Sequence, residues 1–197
     1  MAVATSGRRD EILSAALAAF VEKGFAAATI EDVRRASGAS TGSIYHHFGG
    51  KEGLAAALYV EGLADYQRGF VERLRGARDP ESAVKGLVRH HLRWVEANPE
   101  LASFLLGRRE TEVLAATAEP MRELNRAFLA EVTELLGPWL ESAALKRLPL
   151  DVLDAVLLGP CHEYTRHWLA GRTKTPIRTA ERALAEAAWD ALRGEGG

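Results

Sequence analysis

Apolar side chains in this sequence return every three or four residues and almost nowhere every second residue, which confines the chain to helices packed on helices. Ile12, Ala15, Ala16, Ala19 and Phe20 share one face of a helix predicted over residues 8–23, and Gly24 stops it. "TIED" opens a second, short helix at Thr29, with a capping oxygen three residues ahead of Asp32, and Gly38 ends it. A third helix is predicted over 40–47, and Gly49-Gly50 separates it from a long fourth over 51–75. Beyond "GARDPES", the residues Val84, Leu87, Val88, His91, Leu92 and Val95 form one stripe that closes at "ANPE". Further helices are predicted over 101–108, over 111–144 with Pro120 and Pro138 inside, over 151–170 with an interruption at Gly159-Pro160, and over 176–193. The expected fold class is all-α. An N-terminal helix-turn-helix three-helix unit, residues 1–50, is joined by the long helix to a larger helical domain, residues 51–197.

An apolar fraction of 47% over 197 residues is enough for a substantial core. The formal net charge of -2 gives no sign of a polyanionic partner, so any surface for one must be local. Cys161 is the single cysteine and has no partner for an internal disulfide, the N-terminus lacks the pattern of a secretory signal, and the uncharged run 12–21 is too short to span a bilayer. These features predict a cytoplasmic protein with no membrane partner.

The stretch "SGASTGSIYHHFGGKEGL", residues 37–54, stands apart, with five glycines and three serines among its eighteen residues. Two short helices across a tight turn make a helix-turn-helix, whose second helix enters the major groove of DNA. Eight residues at 1.5 Å each span about 12 Å, close to the groove width, and Ser40, Thr41, Gly42 and Ser43 keep the leading turn thin. Ile44 and Phe48, four apart, are predicted to face inward, leaving Thr41, Ser43, Tyr45, His46 and His47 outward. Between residues 33 and 51 there are Arg34, Arg35 and Lys51 and no acid, a local excess of three positive charges. Lys51, the Gly49 and Gly50 amides and the helix start at Thr29 suit phosphates.

The run "FAAATIEDVRRASGASTGSIYHHFGGKEGLAAALY" resembles the DNA-binding region of the tetracycline-repressor (TetR) family of bacterial transcription regulators, over about residues 8–59. The resemblance implies a homodimer that binds double-stranded DNA at a palindromic operator. Thr29, Ser40, Thr41, Gly42, Ser43, Tyr45, His46, His47 and Lys51 then lie at DNA-facing positions, with Tyr45 and Lys51 on phosphates. It also implies that the rest of the chain binds a small molecule and dimerises, and "LLGPCHEYTRHWLAGR", residues 157–172, resembles a recurring helix of that part. The expected activity is a repressor released from its operator by an unidentified ligand.

Other constellations point elsewhere. "HEYTRH", residues 162–167, approaches a zinc-protease motif, but five steps place His167 about 140 degrees from His162 around a helix, so the two do not share an ion. "FGGKEG" lacks the phosphate-loop spacing, and Cys161 has no base positioned to activate it. No cofactor, metal or catalytic residue is expected. The alternative function is an all-helical enzyme or metal hydrolase using His90, His91 and His162, and a third reading is a helical dimer that acts only through proteins. Tyr66, Phe70, His91, Trp94, Phe104, Phe128 and His162 are the candidates for an apolar ligand cavity, although a helical core accounts for most of them as well. The stripe Leu153, Val156, Leu157, Tyr164 and Trp168, with Ile177, Leu184, Ala188 and Ala191, is the predicted dimer seam.

Overall fold

A computed structural model describes residues 3–106 and 111–194, and these form α1 (Val3–Lys23), α2 (Ile30–Ser37), α3 (Thr41–Phe48), α4 (Lys51–Arg75), α5 (Pro80–Ala97), α6 (Pro99–Leu106), α7 (Thr111–Glu141), α8 (Leu150–Leu169) and α9 (Ile177–Leu192). The predicted end of the sixth helix at Arg108 lies outside the described residues. Two compact units result: Met1–Ala64 with Glu100–Glu123, and Asp65–Pro99 with Leu124–Gly197.

In the first unit Ile12, Ala16 and Phe20 of α1, Val33 of α2, Ile44 of α3 and Leu54, Ala55 and Leu58 of α4 form one buried cluster. The i, i+4 spacing of the α1 residues aims them at one side, where the two short helices close over them. Thr29 caps α2 by accepting from the Asp32 amide while the Asp32 carboxylate accepts from the Thr29 amide, the reciprocal pair expected from "TIED". Ser40 caps α3 by accepting from the Ser43 amide at 3.1 Å. Gly38 and Gly49 end the two helices with φ of 65° and 72°, in the left-handed region that favours glycine. A Cβ at Gly53 would lie 1.7 Å from the Phe48 carbonyl oxygen, so the close approach of α4 to the end of α3 requires glycine there. Arg9 of α1 grips Glu61 of α4 through both guanidinium nitrogens and lies over the Phe48 ring, 5.3 Å from its centre.

In the second unit Val84, Leu87, Val88 and Leu92 of α5 pack with Leu153, Leu157, Leu158 and Cys161 of α8 and with Ile177, Ala185, Ala188 and Leu192 of α9. Glu181 of α9 accepts two hydrogen bonds from Arg93 of α5, both at 2.8 Å. Two expectations change here. α8 runs unbroken through Pro160, because Pro160 is exposed while Leu157, Leu158 and Cys161 hold the opposite face in the core. The carbonyl that loses its donor is that of Val156, a residue only half-buried. The predicted dimer seam is also mostly internal: Leu153, Leu157, Ile177 and Ala188 are buried within the chain, and Val156, Tyr164, Trp168 and Leu184 are packed against that core. α5 occupies the face that a partner was expected to take. Ala191 alone of that set is exposed.

Replacing Thr29 by alanine removes one half of the α2 capping pair and is expected to cost roughly 1 kcal/mol of stability. Urea unfolding followed by circular dichroism measures this, and Thr29→Ser, which keeps the capping hydroxyl, should recover most of the loss.

Candidate functional site

α3 presents Thr41, Gly42, Tyr45 and His46 to solvent, with Ser43 and His47 half-buried and Ile44 at 0% exposure beneath them. Inward anchor and outward face separate as the spacing predicts, and the half-buried Phe48 packs against the same core. Tyr45 is 52% exposed, more than is usual for a large aromatic residue. Arg8 ties the turn between α2 and α3 to α1, donating to the carbonyls of Ser37 and Gly38 at 3.2 Å each.

The local positive charge is more restrained than the sequence window implies. Arg34 is bound to Glu31 at 2.6 Å, and Arg35 to Asp32 at 2.9 Å, both acids lying just before the window. Asp32 also receives Lys23, and Lys23 together with the Thr29 hydroxyl and amide holds its carboxyl well below the usual carboxylate range. The Lys51 ammonium donates to the carbonyls of Phe25 and Ala26 at 2.9 and 3.3 Å and sits 4.5 Å from the centre of the Phe25 ring. Lys51 therefore pins the start of α4 to the loop before α2. Two of its three N–H groups are used in doing so.

In the second unit the predicted ligand residues separate into groups. The Tyr66 hydroxyl meets His91 Nδ1 at 3.0 Å, and the Tyr66 ring contacts Trp94 and Phe70 at centroid distances of 5.3 and 6.3 Å. Phe70 meets Phe128 at 5.4 Å, and His91 meets His162 at 4.8 Å. Phe104 does not join them. It stacks on Phe20 at 6.0 Å and meets Tyr59 at 6.5 Å in the first unit, because α6 carries it there. Histidine 90 donates from Nε2 to the Tyr66 carbonyl at 2.9 Å, and Gly69 makes room for its ring: a Cβ there would lie 2.4 Å from His90 Cε1.

Phe70 and Phe128 border a cavity of about 450 Å³ whose other walls include Leu129, Val132, Leu136 and Leu157. Its polar lining is Gln67, Asn125, Asp151 and Asp154, which sequence reasoning missed. Gln67 was the legible one, being an amide on the face of α4 that carries Phe70, Val71 and Leu74 into the core. Its Nε2 donates to Asn125 Oδ1 at 2.9 Å, while its buried Oε1 has no donor. Burial pushes the Cys161 thiol up to about 12, which leaves it inert as a nucleophile. His90, His91 and His162 do not assemble an ion site: among the described residues no group of three or more His, Cys, Asp or Glu is placed to hold a metal. No helix among the described residues is long and apolar enough to cross a membrane.

Residues 12–58 match the family described as "Bacterial regulatory proteins, tetR family". The HTH-type transcriptional repressor AcnR of Corynebacterium efficiens is 42% identical over 91 residues, 41% of this chain and 48% of that protein. NicS, an HTH-type transcriptional repressor of Pseudomonas putida, is 28% identical over 144 residues, 73% of this chain and 66% of its own length. The chain thus spans about half the length of curated relatives such as AcnR. A TetR family transcription regulator from Marinobacter aquaeolei superposes with a TM-score of 0.79 at 18% identity, covering 99% of this chain and 100% of the other. FadR of Bacillus subtilis, solved in complex with stearoyl-CoA, superposes with a TM-score of 0.77 at 16% identity, covering 94% and 100%.

His91 sits where desolvation, with His162 and His90 adding like charge, lowers its pKa to about 3. A histidine depressed in the folded state favours folding fully above its unfolded value near 6.5. That stability is lost as pH falls from there toward 3, since the unfolded chain takes the proton first. Melting temperature is expected to drop progressively between pH 6.5 and 4.5, and less steeply in His91→Gln, as differential scanning calorimetry reads directly.

Proposed function

We propose that this chain, a member of the tetR family of bacterial regulatory proteins through its residues 12–58, is a DNA-binding transcriptional repressor released from its operator by a small molecule. The observation that carries the reading is the thin, exposed face of α3 held over the fully buried Ile44, within the matched segment. Residues 1–50 read DNA, and residues 51–197 carry the ligand site and the dimer contact.

Ser43, His46 and the backbone at Gly42 lie at the groove floor. Thr29, Ser40, Thr41, Tyr45, His47 and Lys51 flank it toward the phosphates, with the remaining N–H of Lys51 free to donate. One short helix reads few base pairs, so a two-fold homodimer supplies the second reader on a palindromic operator. The outward faces of α8 and α9, where Val152, Ala155, Ala187 and Ala191 are exposed, form that contact. α4 is a single helix whose N-terminal part belongs to the first unit and whose C-terminal part belongs to the second. A ligand that favours the form mismatched to DNA releases it, with a coupling of about 1–3 kcal/mol, or 5 to 150-fold in affinity. The likeness to AcnR and NicS, both named repressors, supports repression as the outcome.

Affinity for a genomic fragment selected by the protein is expected to fall steeply and linearly in logarithmic plots against salt. Lys51→Ala should weaken binding to all sequences alike. Ser43→Ala and His46→Ala should relax choice at particular base pairs by about 1–3 kcal/mol. Fluorescence anisotropy on the selected fragment and on base-pair variants separates these outcomes, and equal losses on every sequence for all three variants contradict the assignment.

A further inference from the structure

The cavity of the second unit has a chemical sign. Phe70, Phe128 and aliphatic side chains make most of its wall, and the charged groups among its described lining residues are Asp151 and Asp154, with no lysine or arginine. Asp154 is the more telling of the two. Its carboxylate acts electrostatically on Tyr66 and His162, although the residue as a whole is exposed, so it stands at the mouth of the cavity between the aromatic cluster and water. No hydrogen bond or ion pair to it occurs among the described residues. Loss of hydration raises its pKa from the ordinary aspartate value, and His162 offsets this only in part. A carboxylate that borders an apolar void on one side and water on the other favours a ligand that brings it a donor or a cation while its body fills the void. Beside it, the buried Gln67 Oε1 also lacks a donor, so the cavity wall is short of hydrogen-bond donors and rich in acceptors. The Phe70 and Phe128 rings, 5.4 Å apart and steeply inclined, offer faces on which a cation is also favoured.

We propose that this cavity takes an organic cation, an amine with an apolar body, whose ammonium group is met by Asp154 and supported by Asp151. The proposal rests on the ligand-responsive reading above and gives its ligand a chemical class. An anion of the same shape meets two carboxylates and no basic group there, so it is excluded by charge while its chain still fits.

Three probes with one chain length separate charge from greasiness: decylammonium, 1-decanol and decanoate, titrated calorimetrically into the full-length protein at neutral pH. Decylammonium is expected to bind at least tenfold more tightly than 1-decanol, and decanoate more weakly than either. In Asp154→Asn the advantage of decylammonium over 1-decanol should shrink by about tenfold while 1-decanol is unchanged. Leu129→Trp, at an exposed lining position, should weaken every probe that binds. Decanoate binding as tightly as decylammonium, an undiminished preference in Asp154→Asn, indifference to Leu129→Trp, or no binding by decylammonium overturns the proposal. Binding with the predicted order but no change in DNA affinity leaves the charge preference standing and removes the ligand-responsive reading instead.

Discussion

A helix of eight residues is not stable alone in water, because nucleation costs more than so few hydrogen bonds return. α3 exists because Ile44 inserts, with no exposed surface, among Ile12, Ala16, Val33 and Leu54. Burying one such side chain is worth about 1.5–3 kcal/mol, comparable to the deficit of a short helix. The outward side chains of α3 take their direction from that inward contact, with Phe48 packed against the same core. The caps at Ser40 and Gly49 fix its ends, the Arg9 clamp on Glu61 and Phe48 fixes its roll, and Lys51 fixes the start of the next helix. A surface of small, exposed residues contributes almost nothing to its own placement, so rigidity has to come from behind it.

The second unit solves a different problem. Its apolar faces are consumed within the chain, with α5 wedged against α8 and α9, yet it retains polar groups in places where a purely structural core would carry leucine. Tyr66 and His91 partially satisfy one another, while Gln67 Oε1 and His91 Nε2 remain without partners. Unsatisfied buried polar atoms lower stability, and Gln67, whose Oε1 is one of them, lines the cavity between Phe70 and Phe128. The segment matched by the family model, residues 12–58, falls wholly in the first unit.

Much of the first unit was legible because its boundaries are written in local chemistry. Thr29 with Asp32, Ser40, Gly38 and Gly49 act within one turn of themselves, so sequence suffices to place them. The long fourth helix, 51–75, was likewise readable from its start after the glycine pair. What escaped depends on distance through space. Arg34 and Arg35 looked unopposed because their acids, Glu31 and Asp32, precede the stretch that draws attention. Pro160 looked like a break because its exposure, with Leu157, Leu158 and Cys161 held in the core, is a tertiary property. Phe104 looked like a pocket residue because nothing in its spacing reveals that α6 delivers it to Phe20. The same limit hid Asp154, whose significance lies in Tyr66 and His162, residues on a different helix and two turns onward.

If paired copies of α3 read a duplex, the spacing of their contacts is fixed by the geometry of B-form DNA rather than by any property of the ligand. Footprinting the full-length protein by hydroxyl-radical cleavage on the genomic fragment it selects reads that spacing directly. Two protected half-sites related by a dyad are predicted, their centres separated by one helical turn, about 10–10.5 base pairs, or a whole multiple of it. A single protected segment without dyad symmetry, or protection spread evenly along the fragment, contradicts the account.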